Sequence, residues 1–155
     1  WMCLPGQRFS KWIEAVAYSL TQHPDPELEK IADGAIDIVC AAQLENGYLD
    51  TYYIINGMDK MFTNLKDHHE LYCFGHLTEG AVAYYQATGK DKLLKAAMRF
   101  ADFIASYFGT EEGKCKGYPG HEIAEMALTL TVRARLQKRK RRQRSAISII
   151  RHICQ

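Results

Sequence analysis

Residues 11–43, KWIEAVAYSLTQHPDPELEKIADGAIDIVCAAQ, contain two amphipathic helices separated by a short turn. Apolar residues recur every three or four positions on both sides of the turn, a spacing typical of helices with one buried face. Asp25 before Pro26 predicts the start of the second helix, because Asp caps free amides and proline suits the first helical position. Short turns join antiparallel neighbours, so the stretch predicts a helical pair. The predicted buried faces are Phe9, Trp12, Ile13, Val16 and Leu20, and Leu28, Ile31, Ala35, Ile38, Val39 and Ala42.

The remainder of the chain alternates loops with further helices. Residues 43–67 lose the helical period and collect turn formers and aromatics, which predicts either a long functional loop or a two-strand excursion. We predict helices over about 69–87, ended by Gly89 as a left-handed cap, over 91–108, and over 121–130. Tight turns that alternate with long loops are typical of paired helices in a toroid or solenoid. Five helices do not close such a ring, so the sequence predicts an all-α, incomplete toroid.

Charge divides the chain into two regions. All 18 acidic residues lie at or before Glu125, and residues 1–132 contain 11 Lys and Arg, which gives them a formal charge of −7. The other nine Lys and Arg lie in residues 133–155, eight of them within 133–144. The acidic part lacks the clustered basic surface that nucleic acid requires. We therefore divide the chain into a helical domain, 1–132, predicted to bind no nucleic acid, and a basic tail, 133–155.

Hydropathy and cysteine spacing bear on the location of the protein. No apolar run approaches the roughly 20 residues of a membrane-spanning helix, and the N-terminus lacks the basic-then-apolar order of a secretory signal. The five cysteines are scattered and never occur in C-x-x-C spacing. We interpret them as reduced, mostly packed thiols, which predicts a cytoplasmic protein with no membrane partner. The oligomeric state is not indicated by the sequence.

The densest group of polar side chains lies at residues 68–76. His69, Cys73 and His76 share one predicted helix face, which suggests a metal site. However, Cys73 replaces the second histidine of the H-E-x-x-H zinc motif, so we predict no metal site here. Two interpretations stay open. The cluster forms either a helix N-terminus lining a cavity, where the histidines and Glu70 hydrogen-bond sugar hydroxyls, or an ordinary capped helix with surface histidines.

Aromatic side chains are a second set of candidates. Tyr48, Tyr52, Tyr53 and Trp12 have flat apolar faces and polar edges, which suit both sugars and a protein core. We expect Trp12 to pack within the apolar face of the first helix, whereas Tyr48, beside a glycine turn, fits either role. No carboxylate pair has a spacing that predicts general acid–base chemistry, so these residues alone define no reaction.

Eight short motifs follow one another along the chain. They are Lys11-Trp12-Ile13-Glu14-Ala15, Asp25-Pro26-Glu27-Leu28, Asn46-Gly47-Tyr48-Leu49-Asp50-Thr51, His69-Glu70-Leu71-Tyr72, Gly75-His76, Ala81-Val82-Ala83-Tyr84-Tyr85, Ala87-Thr88-Gly89 and Gly117-Tyr118-Pro119-Gly120-His121. Together they resemble the N-terminal region of the β-L-arabinofuranosidases, glycoside hydrolase family 127, over residues 9–130. The chain departs from the family at Gln7-Arg8-Phe9-Ser10, where an acidic stretch is usual, and at Ile123.

The resemblance implies that this chain is part of an (α/α)6 barrel in a retaining glycoside hydrolase that acts on β-L-arabinofuranosides or a related sugar. It also implies a cysteine nucleophile, a glutamate acid/base and a zinc ion held by cysteines and a glutamate, all downstream of this chain. We therefore expect no catalytic residue and no cofactor in the chain itself, which alone would be inactive. His69 and His121 resemble histidines that contact the arabinose, and they are the predicted substrate-binding residues for a carbohydrate partner.

The basic tail is the largest departure from the family, in which the helix continues into another Ala-Thr-Gly-like turn. We hypothesise a shift of reading frame, because codons for Leu136-Gln137-Lys138-Arg139 exist that give Ala-Thr-Glu-Lys when read one base earlier. A disordered tail is the other interpretation. The alternative function is a non-enzymatic helical binding module whose basic tail binds nucleic acid.

Overall fold

The computed structural model describes residues 4–134 and residue 136. This part of the chain contains α-helices, one 3-10 turn and a single isolated bridge between Phe108 and Cys115, with no β-strand among the described residues. The all-α class predicted from the sequence is confirmed. The helices are α1 (Leu4–Gln22), α2 (Pro26–Ala41), α3 (Thr51–Asn56), α4 (Glu70–Thr88), α5 (Lys92–Tyr107) and α6 (123–134), and the 3-10 turn is Met58–Lys60.

The turn between α1 and α2 forms as the sequence predicts. The Oδ1 atom of Asp25 accepts hydrogen bonds from the backbone N–H groups of Glu27 at 3.0 Å and Leu28 at 3.1 Å. Pro26 occupies the first position of α2, where a backbone N–H would have no hydrogen-bond partner within the helix, so its absence in proline costs nothing. The predicted start of α2 is therefore confirmed.

Helix α4 lies at the centre of the described chain and packs most extensively against α1. The two helices approach closely at Gly80, where a Cβ atom would lie 2.6 Å from Cγ2 of Ile13 and 2.8 Å from the carbonyl oxygen of Ser10. Only glycine fits such a crossing. The apolar spacing of residues 69–87 predicts a buried face made of Leu71, Phe74, Thr78, Ala81, Val82 and Tyr85, and all six are buried. Burial extends around most of α4, and the further buried residues include His76, Leu77, Ala83 and Tyr84.

Short turns and long loops lie at opposite ends of α4, as the alternating pattern predicts. At its C-terminal end, Gly89 adopts φ 77° and donates its N–H to the carbonyl of Tyr85, which confirms the predicted cap. The next residue, Lys90, pairs with Glu29 and Asp33 near the start of α2. We call the turns 23–25 and 89–91 the short-turn rim, and the loops 42–69 and 108–122 the long-loop rim.

Of the two interpretations of residues 43–67, the loop is confirmed and the two-strand excursion is wrong. Asp50 caps the short helix α3 within this loop through the N–H of Tyr52, and the 3-10 turn follows. The predicted buried face of α2 is also wrong. The buried face of α2 is rotated from the predicted one: Ala32 and Ile36 are buried, whereas Ile31 and Ile38 are 61% and 76% exposed. The Tyr84 hydroxyl of α4 donates to Asp33 at 2.8 Å, which turns the face of α2 that carries Ala32, Asp33 and Ile36 towards α4.

Helix α6 crosses the predicted domain boundary after residue 132 and continues to residue 134. Apart from residues 133, 134 and 136, the predicted basic tail 133–155 lies outside the described residues. None of the helices that the structure describes is both long enough and apolar enough to cross a membrane.

Candidate functional site

His69 immediately precedes α4 on the long-loop rim and has an uncommon backbone conformation. Its φ of 62° and ψ of 21° place it in the left-handed region, which side-chain-bearing residues seldom adopt. Its Nδ1 atom lies 2.6 Å from the carbonyl oxygen of Asp67. Because a carbonyl only accepts, Nδ1 carries the proton and Nε2 of the neutral ring is left as an acceptor. The half-buried imidazole thus has a fixed tautomer.

His121 is brought to His69 by the close approach of the two long loops. A Cβ atom on Gly120 would lie 2.8 Å from the carbonyl oxygen of Lys66, so the loop of His121 contacts the loop that leads to α4. The ring centroids of His69 and His121 are 5.3 Å apart. The structure therefore places both predicted site residues together, and their contact with substrate stays a prediction.

Tyr72 contacts both histidines, although the sequence did not indicate it as a site residue. Its ring centroid lies 5.6 Å from that of His69 and 5.1 Å from that of His121. The Nε2 amide of Gln7, on α1, donates to the Tyr72 hydroxyl at 3.3 Å. A position three residues after His69 on a helix was the available signal, because such residues share a face. We name His69, Tyr72 and His121 the aromatic triad.

His76 continues the same face of α4 one turn below Tyr72, with ring centroids 4.5 Å apart. Its Nδ1 lies 2.8 Å from Oε2 of Glu79 and donates to that carboxylate when the ring is neutral. Its Nε2 atom is buried and has no hydrogen-bond partner within the described chain. This histidine is therefore turned into the protein and stands apart from the exposed edge of the triad.

Glu70 follows His69 and is fully buried, at 0% exposure. Its Oε1 accepts a hydrogen bond from the Tyr48 hydroxyl at 2.8 Å, and its Oε2 accepts one from the backbone N–H of Phe62 at 2.8 Å. The cavity-lining interpretation, in which Glu70 hydrogen-bonds sugar hydroxyls, does not hold for Glu70, because both of its oxygens bind the protein and the side chain is fully buried. Glu70 instead stabilises the loop 42–69 through its buried hydrogen bonds to Tyr48 and Phe62.

Burial controls the electrostatics behind the triad. It raises the pKa of the Glu70 carboxyl from 4.5 to about 7, although the hydrogen bonds from Tyr48 and Phe62 act in the opposite direction. Burial also raises the pKa of Asp50, against the backbone hydrogen bonds of the α3 N-terminus. The pKa of the Tyr48 hydroxyl rises far above its usual range, chiefly through burial and then through the charge of Glu70.

The aromatic candidates divide between core and surface. Tyr48 is fully buried, and its ring contacts Phe62, Phe100 and Phe103 at centroid distances of 5.3 to 5.8 Å. It is a core residue and no sugar platform. Tyr53 is also buried, and its hydroxyl lies 2.6 Å from Nδ1 of His68. Trp12 was expected to pack in the core, but it is 37% exposed.

The described residues offer no site for the zinc ion that the family resemblance implies. No group of three or more His, Cys, Asp or Glu side chains in the described part of the chain is arranged to hold a metal. In the sequence-predicted group of His69, Cys73 and His76, the Tyr72 ring contacts both histidine rings.

Comparison with known proteins identifies the family to which this chain is similar. Residues 2–135 match the family model described as β-L-arabinofuranosidase, GH127 catalytic domain. A non-reducing end β-L-arabinofuranosidase from Bifidobacterium longum subsp. longum is 45% identical over 122 residues, which cover 76% of this chain and 18% of the relative. The chain therefore spans about a fifth of the length of the relatives it matches.

Solved structures agree with the sequence comparison. A GH127 β-L-arabinofuranosidase from Geobacillus stearothermophilus T6 superposes with a TM-score of 0.81 at 48% identity, covering 84% of this chain and 20% of that one. A second GH127 β-arabinofuranosidase gives a TM-score of 0.81 at 36% identity, covering 86% and 22%. These likenesses support the predicted partial (α/α)6 barrel.

Proposed function

Because the chain belongs to the GH127 β-L-arabinofuranosidase catalytic-domain family, we propose that it forms part of the substrate-binding wall of a glycoside hydrolase acting on β-L-arabinofuranosides. The observation that supports this proposal is the aromatic triad, in which the two predicted histidines meet on the long-loop rim. The groups that break the glycosidic bond, and the zinc ion, are proposed to belong to the remainder of the barrel.

The triad can orient a sugar through hydrogen bonds. With Nδ1 protonated, Nε2 of His69 accepts a hydrogen bond from a sugar hydroxyl. His121 is exposed, and its imidazole can donate or accept according to its tautomer. The Tyr72 ring packs against both imidazoles, which also contact each other, so the three rings form one cluster. These contacts fix the position of the furanose ring relative to the catalytic groups and form no covalent bond to it.

Substitution of the histidines in the full-length polypeptide that carries this chain tests the proposal. We expect His69→Ala or His121→Ala to lower kcat/KM on a β-L-arabinofuranoside about 10- to 100-fold, because a lost hydrogen bond to substrate costs about 1.5–3 kcal/mol. His23→Ala, an exposed histidine on the short-turn rim, is the matched control and should leave kcat/KM unchanged. Unchanged kinetics in both triad variants would contradict the proposal.

The sugar itself needs a separate experiment. We expect hydrolysis of a β-L-arabinofuranoside, because the family relatives are named for this linkage. Retention of the anomeric configuration is what the family resemblance implies. The matched substrate is the α-L-arabinofuranoside, which differs only at the anomeric carbon. Preferential hydrolysis of the α anomer, or of a pyranoside, would place the chain with a different sugar while leaving the triad experiment intact.

A reducing, cytoplasmic environment is a further part of the proposal. Cys40 and Cys115 are free thiols in the structure. Burial raises the pKa of the Cys40 thiol, which disfavours the reactive thiolate. Such packed thiols are usual in proteins of reducing compartments. Mass spectrometry of the protein from its native source should find these two cysteines unmodified.

A further inference from the structure

Glu70 connects three segments of the long-loop rim, and this connection has no counterpart elsewhere in the described chain. Its carboxylate accepts from the Tyr48 hydroxyl in one loop and from the Phe62 backbone in the next. Its backbone begins α4 directly after His69. One buried side chain therefore joins residue 48, residue 62 and the start of α4.

The bond to Phe62 closes the loop that presents His69. Phe62 and His69, the two ends of the segment 62–69, are the only residues other than glycine with positive φ in the described chain, at 56° and 62°. Left-handed backbone costs on the order of 1 kcal/mol at each such residue and persists only where the surroundings impose it. Glu70 contacts both ends of this segment, since its carboxylate accepts from the N–H of Phe62 and its backbone begins α4 directly after His69.

The surroundings of Glu70 make this support rigid. The Phe62 ring packs against Tyr107 and Phe108 at centroid distances of 5.0 Å, and the Tyr48 ring packs against Phe100. Neither partner of the carboxylate can move without disturbing these ring contacts. Because both oxygens of this buried carboxylate already accept hydrogen bonds from the protein, Glu70 is poorly suited to bind a substrate and well suited to hold the loop in place.

We propose that Glu70 is a positioning residue for substrate binding: it holds the 62–69 loop so that His69 presents Nε2 to the sugar. This inference rests on the proposed function, because it requires His69 to bind substrate. Glu70 never touches the substrate; it acts through the backbone of His69. The chemistry that recognises the sugar belongs to the imidazole.

A double-mutant cycle in the full-length polypeptide separates positioning from general stabilisation. Glu70→Gln keeps the size of the side chain, and its amide oxygen can still accept from the Phe62 N–H. Its NH2 group, however, cannot accept a hydrogen bond from the Tyr48 hydroxyl. We expect kcat/KM to fall about tenfold in the wild-type background and to change less than twofold when His69→Ala is already present. Residues that act through one another give such non-additive effects, whereas independent sites give additive ones.

Tyr48→Phe is the second variant, because it removes only the phenol oxygen and leaves the ring contacts in place. Tyr48→Phe should lower kcat/KM in the wild-type background and change it little when His69→Ala is already present. It replaces Glu70→Gln in the cycle if that variant does not fold. Glu29→Gln, an exposed carboxylate on α2 that pairs with Lys90, is the matched control and should be silent in both backgrounds.

The outcomes distinguish the two proposals. A His69→Ala variant with unchanged kcat/KM would overturn this inference, and if His121→Ala were also unchanged, the proposed function would fall with it. A His69→Ala variant with reduced kcat/KM, combined with a Glu70 effect that is either absent or fully retained in that background, would overturn this inference alone. Loss of the Glu70 effect on removal of His69 supports it.

Discussion

The two ends of α4 are held in opposite ways. At the long-loop rim, the buried Glu70 carboxylate joins Tyr48 and Phe62 through hydrogen bonds inside an aromatic cluster. At the short-turn rim, Lys90 joins Glu29 and Asp33 through ion pairs whose side chains are one third to one half exposed. Buried hydrogen bonds are costly to break, whereas water and salt compete with exposed ion pairs.

This difference explains where a binding site can form. The short-turn rim needs only to reverse the chain, which three-residue turns achieve without unusual backbone geometry other than Gly89. The long-loop rim carries two left-handed residues that bear side chains, Phe62 and His69, and it has the buried contacts that maintain them. A rigid, strained loop above a helix start suits the presentation of His69 to a ligand.

The largest expected effect is on the long-loop rim. Glu70→Ala leaves the Tyr48 hydroxyl and the Phe62 N–H buried without an acceptor, and each such group costs about 1–3 kcal/mol. We expect the free energy of unfolding of the 155-residue chain to fall by about 3 kcal/mol or more, measured by urea denaturation. The control Glu29→Ala, on the other rim, should lose less than about 1 kcal/mol. Equal losses would remove the contrast between the rims.

The raised pKa of Glu70 predicts a pH dependence of stability. Because the folded state binds this proton more tightly than the unfolded state, the Glu70 contribution is fully present below pH 4.5 and declines as pH rises to about 7. At about 1.4 kcal/mol per pKa unit, the decline relative to Glu70→Gln should approach about 3 kcal/mol. Urea denaturation of both chains between pH 4 and 8 measures it. A difference that is constant or rises with pH would contradict the assignment.

A smaller effect should follow from Gly120→Ala, which forces apart the two long loops. The new Cβ would lie 2.8 Å from the carbonyl oxygen of Lys66, and such overpacking costs about 1–3 kcal/mol. Gly34→Ala is the control, because no heavy atom lies within 4 Å of its added Cβ on α2. That variant should gain about 0.5–1 kcal/mol from helix propensity. Destabilisation by both, or by neither, in thermal denaturation would show that the loops do not meet as described.

The smallest effect is expected at the short-turn rim. Lys90→Ala removes both exposed ion pairs with Glu29 and Asp33, and pairs of this kind contribute about 0–1 kcal/mol. Urea denaturation in low salt should detect a loss of that size, and added salt should reduce it further. A loss above about 2 kcal/mol, insensitive to salt, would mean that this rim is held as firmly as the other.

The sequence predicts the helices well because their signals are local. The Asp25-Pro26 cap, the Gly89 cap and the apolar period of α4 each depend on neighbouring residues, and the structure confirms them. The rotated face of α2 could not be predicted, because both Ile31 and Ala32 fit a helical period and only the packing partners choose between them. Tertiary contacts decide such cases.

The candidate site shows the same division. The family resemblance indicated His69 and His121, and the structure adds that their rings lie together with Tyr72. The role of Glu70 could not be found from sequence, because its partners lie 22 and 8 residues away. The local sequence does not show whether a glutamate at the first position of a helix is buried and bonded to the protein or faces solvent and binds a ligand.

The most direct test of the central claim is a crystal structure of the full-length polypeptide with L-arabinose bound. The account predicts a sugar oxygen within hydrogen-bond distance, about 3 Å, of Nε2 of His69, and the ring lying at the long-loop rim beside His121. Glu70 should still bond Tyr48 and Phe62 and make no contact with the sugar. A sugar bound directly by the Glu70 carboxylate, or bound elsewhere with the triad untouched, would contradict it.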